Sequence, residues 1–195
     1  NDPVTKYIPE LYNIQSNGHN VDKITIKSII RHTTGLPRNS YQMLDTKNRE
    51  ESLSIDEVLL RLTEQNVIYK PNRIYKYSNL AMTIAGEIVA RVSGLDYEDY
   101  IEENIFIPLE MSGSQIPVTV DKDLNTAPGY GKLIDGKRNK NKWLSKSDHW
   151  GSAAAGMKTN ITDLSKFVKW HFKVLNEKEN FIISHNTLKK MQKVH

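Results

Sequence analysis

Between Leu80 and Val92 the apolar residues Leu80, Ala81, Met82, Ile84, Ala85, Ile88, Val89 and Val92 fall around most of a helical circumference. No other stretch constrains the fold as strongly. A helix that is apolar on nearly every side has to be wrapped by other elements, so this segment is expected to be a central, largely buried helix closed by Gly94. It is no membrane span: no window of the chain approaches the roughly 18 uninterrupted apolar residues that crossing a bilayer requires, and the mean hydropathy is −0.56.

The elements expected to wrap this helix are short and well punctuated. Asp2-Pro3 reads as an N-cap with proline at the first helical position of a turn over residues 3–7, and Asn17-Gly18 marks a turn. Thr25 caps a helix carrying Ile26, Ile29 and Ile30 inward, which Gly35 and Pro37 end. Residues 38–52 are polar and read as a surface loop. Ser54 and Glu57 form a capping box ahead of Ile55, Val58, Leu59 and Leu62 on one face. Asp96 caps a helix with Tyr97, Tyr100, Ile101 and Ile105 inward, ended by Pro108. A strand-like stretch over 129–143 has Asp135-Gly136 as its hairpin turn. Thr162 caps a further helix with Leu164, Phe167, Val168, Phe172 and Leu175 on its buried side, and a last short helix runs from His185 towards Lys193.

With 195 residues, 38% hydrophobic and 26% charged, the chain is in the globular range and fits one domain or one large lobe. It has no cysteine, which excludes disulfides, thiolate nucleophiles and zinc-thiolate sites while leaving the compartment open. Its net charge of +4 is concentrated in Lys132, Lys137, Arg138, Lys140, Lys142 and Lys146. That run reads as a solvated hairpin, or alternatively as a surface drawn to an anionic polymer such as cell wall. Trp143 is the single aromatic residue within it, short of the series that a nucleic-acid stacking platform would need, so no nucleic acid partner is expected.

The candidate chemistry lies just before the central helix, where Tyr77-Ser78-Asn79 follows the polar turn Lys70-Pro71-Asn72-Arg73. Side chains there stand at a helix mouth, where unpaired N–H groups favour anionic ligands. Taken alone, the tripeptide is equally a packing tyrosine followed by an N-cap at Asn79. Other schemes fit less well. The six histidines form no close ligand pair, so neither a metal nor another cofactor is expected. His32 reads as a helix-end residue that hydrogen-bonds and packs. Glu98, Asp99, Glu102 and Glu103 follow helix spacing and read as a solvated face. There is no Gly-x-Ser-x-Gly elbow and no phosphate-binding glycine loop.

The surroundings of the tripeptide carry a resemblance. Residues 24–37, ending His32-Thr33-Thr34-Gly35-Leu36-Pro37, resemble the helix and His-Thr-Ser-Gly-Leu-Pro segment of the penicillin-binding protein and class C β-lactamase family. Residues 71–94 are similar to its Pro-Gly, Tyr-Ser-Asn, helix, Ser-Gly block. Pro108-Leu109-Glu110-Met111 resembles its Pro-Leu-Gly-Met, and Gly129-Tyr130-Gly131 and residues 152–167 continue the likeness in the same order. The resemblance implies an α+β, serine β-lactamase/transpeptidase-like fold, of which this chain covers mostly the helical lobe with a minor β-hairpin. It also implies acyl transfer through a serine ester. Tyr77 would pass the proton during attack and departure, and neighbouring cations would have to stabilise its phenolate for it to act near neutral pH. Asn79 would orient a lysine and hold the substrate's amide, with Asn39 a second amide for that purpose. Ala155 and Gly156 would line the substrate wall.

Three departures shape the expectation. No serine stands in the family's Ser-x-x-Lys element, the nearest being Ser28-Ile29-Ile30-Arg31. The resemblance places that element before Asn1. The Lys-Thr-Gly or His-x-Gly strand is also missing, Lys158-Thr159-Asn160 and His149-Trp150-Gly151 being coincidences of composition or order. Ala154-Ala155-Gly156 stands where the family commonly has a second glycine or an aromatic residue. Residues 1–195 are therefore read as a single partial domain of a hydrolase acting on D-alanyl peptides, β-lactams or related esters, and the chain alone is expected to be inactive. A non-catalytic module binding peptidoglycan or a partner on the same scaffold is the alternative, and an esterase or aminopeptidase is a further one. The expected partner is a small-molecule or peptidoglycan-peptide substrate, and the expected location is extracytoplasmic. A homodimer through the face left bare by truncation is also expected.

Overall fold

The computed structural model describes residues 1–40, 53–116, 127, 130–134, 136–140 and 151–193. The chain opens with single 3-10 turns at Val4–Lys6 and Pro9–Asn13. The cap expected at Asp2 is not made. Its carboxylate accepts from Lys6 Nζ at 2.9 Å and the Tyr7 hydroxyl at 2.8 Å instead, and Pro3 becomes the residue that precedes the turn. The first helix, α1 (Ile26–Ile30), is capped by Thr25, and Ser28 completes the box by accepting the Thr25 N–H at 2.8 Å. A helix of five residues presents little more than one turn to the core. Ile29 fills that place and Ile30, expected inward, is exposed.

In α2 (Ile55–Leu60) the Ser54 and Glu57 box forms as the spacing predicts, and Val58, Leu59 and the following Leu62 are buried. Next comes the central helix, α3 (Asn79–Ser93), closed by Gly94 at φ +75°. Its buried residues Leu80, Ala81, Ile84 and Ile88 meet Val4, Ile8, Leu11, Ile24, Ile29 and Leu36 in the main core. Val92, at the far end of the apolar pattern, is exposed. The helix α4 (Tyr97–Ile101) opens without a side-chain cap from Asp96 and widens into a π-helical turn over Glu102–Phe106. The strands β1 (Tyr130–Ile134) and β2 (Lys137–Lys140) pair antiparallel, with Ile134 opposite Lys137 and Gly136 at φ +72° in the turn. The turn's Asp135, the remainder of the 129–143 stretch and residues 41–52 of the polar loop lie outside the described residues.

The short α5 (Ser152–Ala155) docks on α3 so closely that a Cβ on Gly86 would fall 2.5 Å from that of Ala153. After it comes α6 (Ile161–Asn176), whose N-cap is Asn160 and not Thr162: Asn160 has the extended backbone a cap needs, and its Oδ1 accepts from the Asp163 N–H at 2.9 Å. Asp163 ties α6 to the segment after α4. Its Oδ2 accepts from the Gly113 N–H at 2.8 Å and the Ser114 hydroxyl at 2.9 Å. Phe167 and Trp170 pack on Phe106, Leu109 and Met111 in a second, smaller core. The apolar stripe predicted to be buried on α6 is only partly so: Leu164, Val168 and Phe172 are exposed, and Ile161 is 80% exposed. The final helix, α7 (His185–Met191), is capped by Ser184 and buries Leu188. Among the described residues no helix is long and apolar enough to cross a membrane.

Candidate active site

The segment after α1 lies along the segment that leads into α3. Gly35 is the point of closest approach, with φ +80° and no room for a side chain: a Cβ there would stand 1.9 Å from the Tyr69 carbonyl oxygen. The Gly35 carbonyl accepts from the Ile68 N–H at 2.8 Å, the Thr33 carbonyl from Asn72 N–H at 2.7 Å and the His32 carbonyl from Lys76 N–H at 2.7 Å. These bonds align residues 32–40 with residues 68–79 and bring two distant stretches of sequence to one helix mouth.

At that mouth the cap is Ser78. Its backbone is extended, its hydroxyl accepts from the Ala81 N–H at 2.9 Å, and the same hydroxyl donates to the Pro37 carbonyl at 2.7 Å. The Arg38 carbonyl accepts the Asn79 N–H at 2.7 Å, so a second unpaired donor of the first turn is satisfied from the neighbouring segment. Asn79 is thereby released from the capping role open to it in sequence. Its side chain donates from Nδ2 to Asn39 Oδ1 at 2.8 Å, which joins the two asparagines predicted to hold a substrate amide.

Tyr77 precedes the cap and remains 41% exposed. Its ring packs against His32, with centroids 4.5 Å apart, and the Arg38 guanidinium carbon lies 5.7 Å from its centroid. His32 is held in turn, since its Nδ1 accepts the Ser78 N–H at 3.3 Å. The left-handed backbone of His32, φ +53°, turns it back towards Tyr77 at the end of α1. Among the described residues the Tyr77 hydroxyl makes no hydrogen bond. A phenol positioned by its faces, with its oxygen open and a cation beside it, is suited to carry a proton to or from a bound molecule.

The structure thus brings Tyr77, Asn79 and Asn39 together, while Ala155 and Gly156 stand apart at the end of α5. That helix meets α3 at Gly86, seven residues beyond Asn79, or about 10 Å along the axis. Sequence reasoning missed Ser78 and Arg38 as parts of this site. Serine's preference for the cap position was available as a signal for Ser78. Arg38 had none, because its place depends on the pairing of the two segments. Among the described residues no group of three histidine, aspartate or glutamate side chains converges as a metal site.

Comparison with known proteins places the fold and the family. The curated protein flp of Staphylococcus aureus (strain N315) is 27% identical over 174 residues, which make up 87% of this chain and 33% of that protein. A D-stereospecific amidohydrolase from Streptomyces sp. superposes with a TM-score of 0.76 at 21% identity, covering 100% of this chain and 57% of that one. The octameric penicillin-binding protein homologue from Pyrococcus abyssi superposes with a TM-score of 0.73 at 24% identity, covering 99% and 42%. These likenesses give the fold as serine β-lactamase/transpeptidase-like. The chain spans about one third of the curated relatives it matches first and about half of the matched structures. The beta-lactamase family model matches residues 1–194, and the chain belongs to the beta-lactamase family.

Proposed function

We propose that this chain forms the helical wall of the cleft of a serine hydrolase acting on D-alanyl peptides, β-lactams or related esters outside the cytoplasm. The observation that carries this reading is the grouping, at the head of α3, of an open tyrosine hydroxyl with the hydrogen-bonded pair Asn79 and Asn39. In the proposed reaction a serine oxygen attacks the substrate carbonyl and Tyr77 relays the proton to the leaving group, while the amide pair holds the substrate in line. Ala155 and Gly156, which follow the Ala153 contact with α3, are assigned to the substrate wall beyond this group. No serine of the chain stands in Ser-x-x-Lys, so the nucleophile is assigned to sequence outside these 195 residues, and the chain alone is inactive. Its exposed α6 face supports self-association of the isolated chain.

Incubation with benzylpenicillin followed by intact-mass measurement tests the reading. The 195-residue chain should carry no adduct, and an adduct on it overturns the assignment of the nucleophile. A chain extended upstream should be acylated on a serine of Ser-x-x-Lys. An extension without that element replaces the enzyme with a peptidoglycan- or partner-binding module.

A further inference from the structure

We propose that Arg38 reads charge on the substrate, giving the cleft a preference for molecules that carry a free carboxylate on the acyl side of the reacting carbonyl. The proposal rests on the assignment of Asn39 and Asn79 as the amide-holding pair. Arg38 lies between two anchored residues, with the Pro37 carbonyl bound by the Ser78 hydroxyl and the Asn39 side chain bound by Asn79. Its own carbonyl accepts from the N–H groups of Asn79 and Leu80 at 2.7 and 3.3 Å. The backbone of Arg38 is therefore fixed at the mouth of α3, while its side chain is exposed.

That side chain is directed by the Tyr77 ring, 5.7 Å from the guanidinium carbon. An aromatic contact of this kind leaves the edge N–H donors of the guanidinium open. Arg38 makes no ion pair with any described residue. A planar fork of donors held against the Tyr77 ring, on the residue that precedes Asn39, matches a carboxylate reached by a short arm from the amide that the asparagines hold. A hydrophobic residue at this position would support the ring equally well without that selectivity.

Titration of the isotopically labelled 195-residue chain with N-succinyl-D-alaninamide and N-acetyl-D-alaninamide, read by NMR at the Asn39 and Asn79 side-chain amides, tests the inference. The succinyl compound should bind about fivefold more tightly, in line with a solvent-exposed charge pair. Arg38→Gln should abolish the preference and Arg38→Lys should keep part of it. The backbone bonds of residue 38 do not involve its side chain, so an unchanged spectrum elsewhere will show that the fold persists. Equal affinities in the parent chain, or a preference that survives Arg38→Gln, overturn the role of Arg38 alone. Absence of any shift at the Asn39 and Asn79 amides with either compound overturns the amide-binding reading and this proposal with it.

Discussion

At the scale of single residues, Tyr77 and Gly35 show two different dependences on the fold. The Tyr77 ring is positioned by His32 and Arg38 through its faces, and its hydroxyl supports nothing among the described residues. In an upstream-extended, acylation-competent protein, Tyr77→Phe should therefore lower the acylation rate by about 10²-fold or more, with the melting temperature unchanged. Stopped-flow acylation together with thermal melts would check this, and a matching fall in stability would mark the tyrosine as a packing residue. Gly35 is the opposite case. Gly35→Ala combines a left-handed φ with a Cβ 1.9 Å from the Tyr69 oxygen, and should cost at least about 3 kcal/mol in urea unfolding because backbone has to move. The likeness of residues 32–37 to a family segment pointed to a function for this stretch, but the reason for its glycine became visible only beside Tyr69.

At the scale of elements, the caps decide where helices begin and tie them to their neighbours. Ser78→Ala removes the first-turn acceptor of α3 and the link to Pro37, and should destabilise by about 1–2 kcal/mol, whereas Asn79→Ala should cost less. Denaturant melts of the two variants distinguish this from a cap at Asn79. Asp163 performs a similar service for α6. Burial alone would push its carboxyl up, but the Ser114 hydroxyl, the Gly113 N–H and Lys166 together hold it below its ordinary value. A carboxyl whose folded pKa is depressed contributes stability that is present above its unfolded pKa, near 4, and is lost as pH falls through the lower folded value. Melting temperatures measured from pH 6 to pH 2 should accordingly fall less steeply for Asp163→Asn than for the parent chain. Thr25, Ser54 and Gly94 were legible as punctuation because their roles are local. Asn160 lost out to Thr162 in sequence because both are cap formers two residues apart, and only the backbone angles separate them.

At the scale of the whole molecule, the two cores account for α1 to α4 and for part of α6, yet Ile161, Leu164, Val168 and Phe172 remain in contact with solvent. A single exposed apolar residue is ordinary, but four at helical spacing on one helix make a contiguous apolar face, which is the basis for expecting self-association. The isolated chain should dimerise, and Leu164→Glu with Val168→Lys should return it to monomer in analytical ultracentrifugation; a parent chain monomeric at high concentration would refute this. The sequence by itself determined the central helix over residues 80–92 with its stop at Gly94, the hairpin turn at Gly136, the cap at Thr25, the capping box at Ser54, and the family. Those features rest on periodicity, local hydrogen bonding and the order of motifs along the chain. Tertiary structure alone decided that the Ser78 hydroxyl reaches Pro37, that Asn79 turns to Asn39, that Arg38 comes to rest against Tyr77, and that one face of α6 stays open. Each of these depends on which distant segments become neighbours, and residues 32–40 and 68–79 meet through backbone hydrogen bonds that every sequence can make, so their side chains carry no advance sign of the pairing.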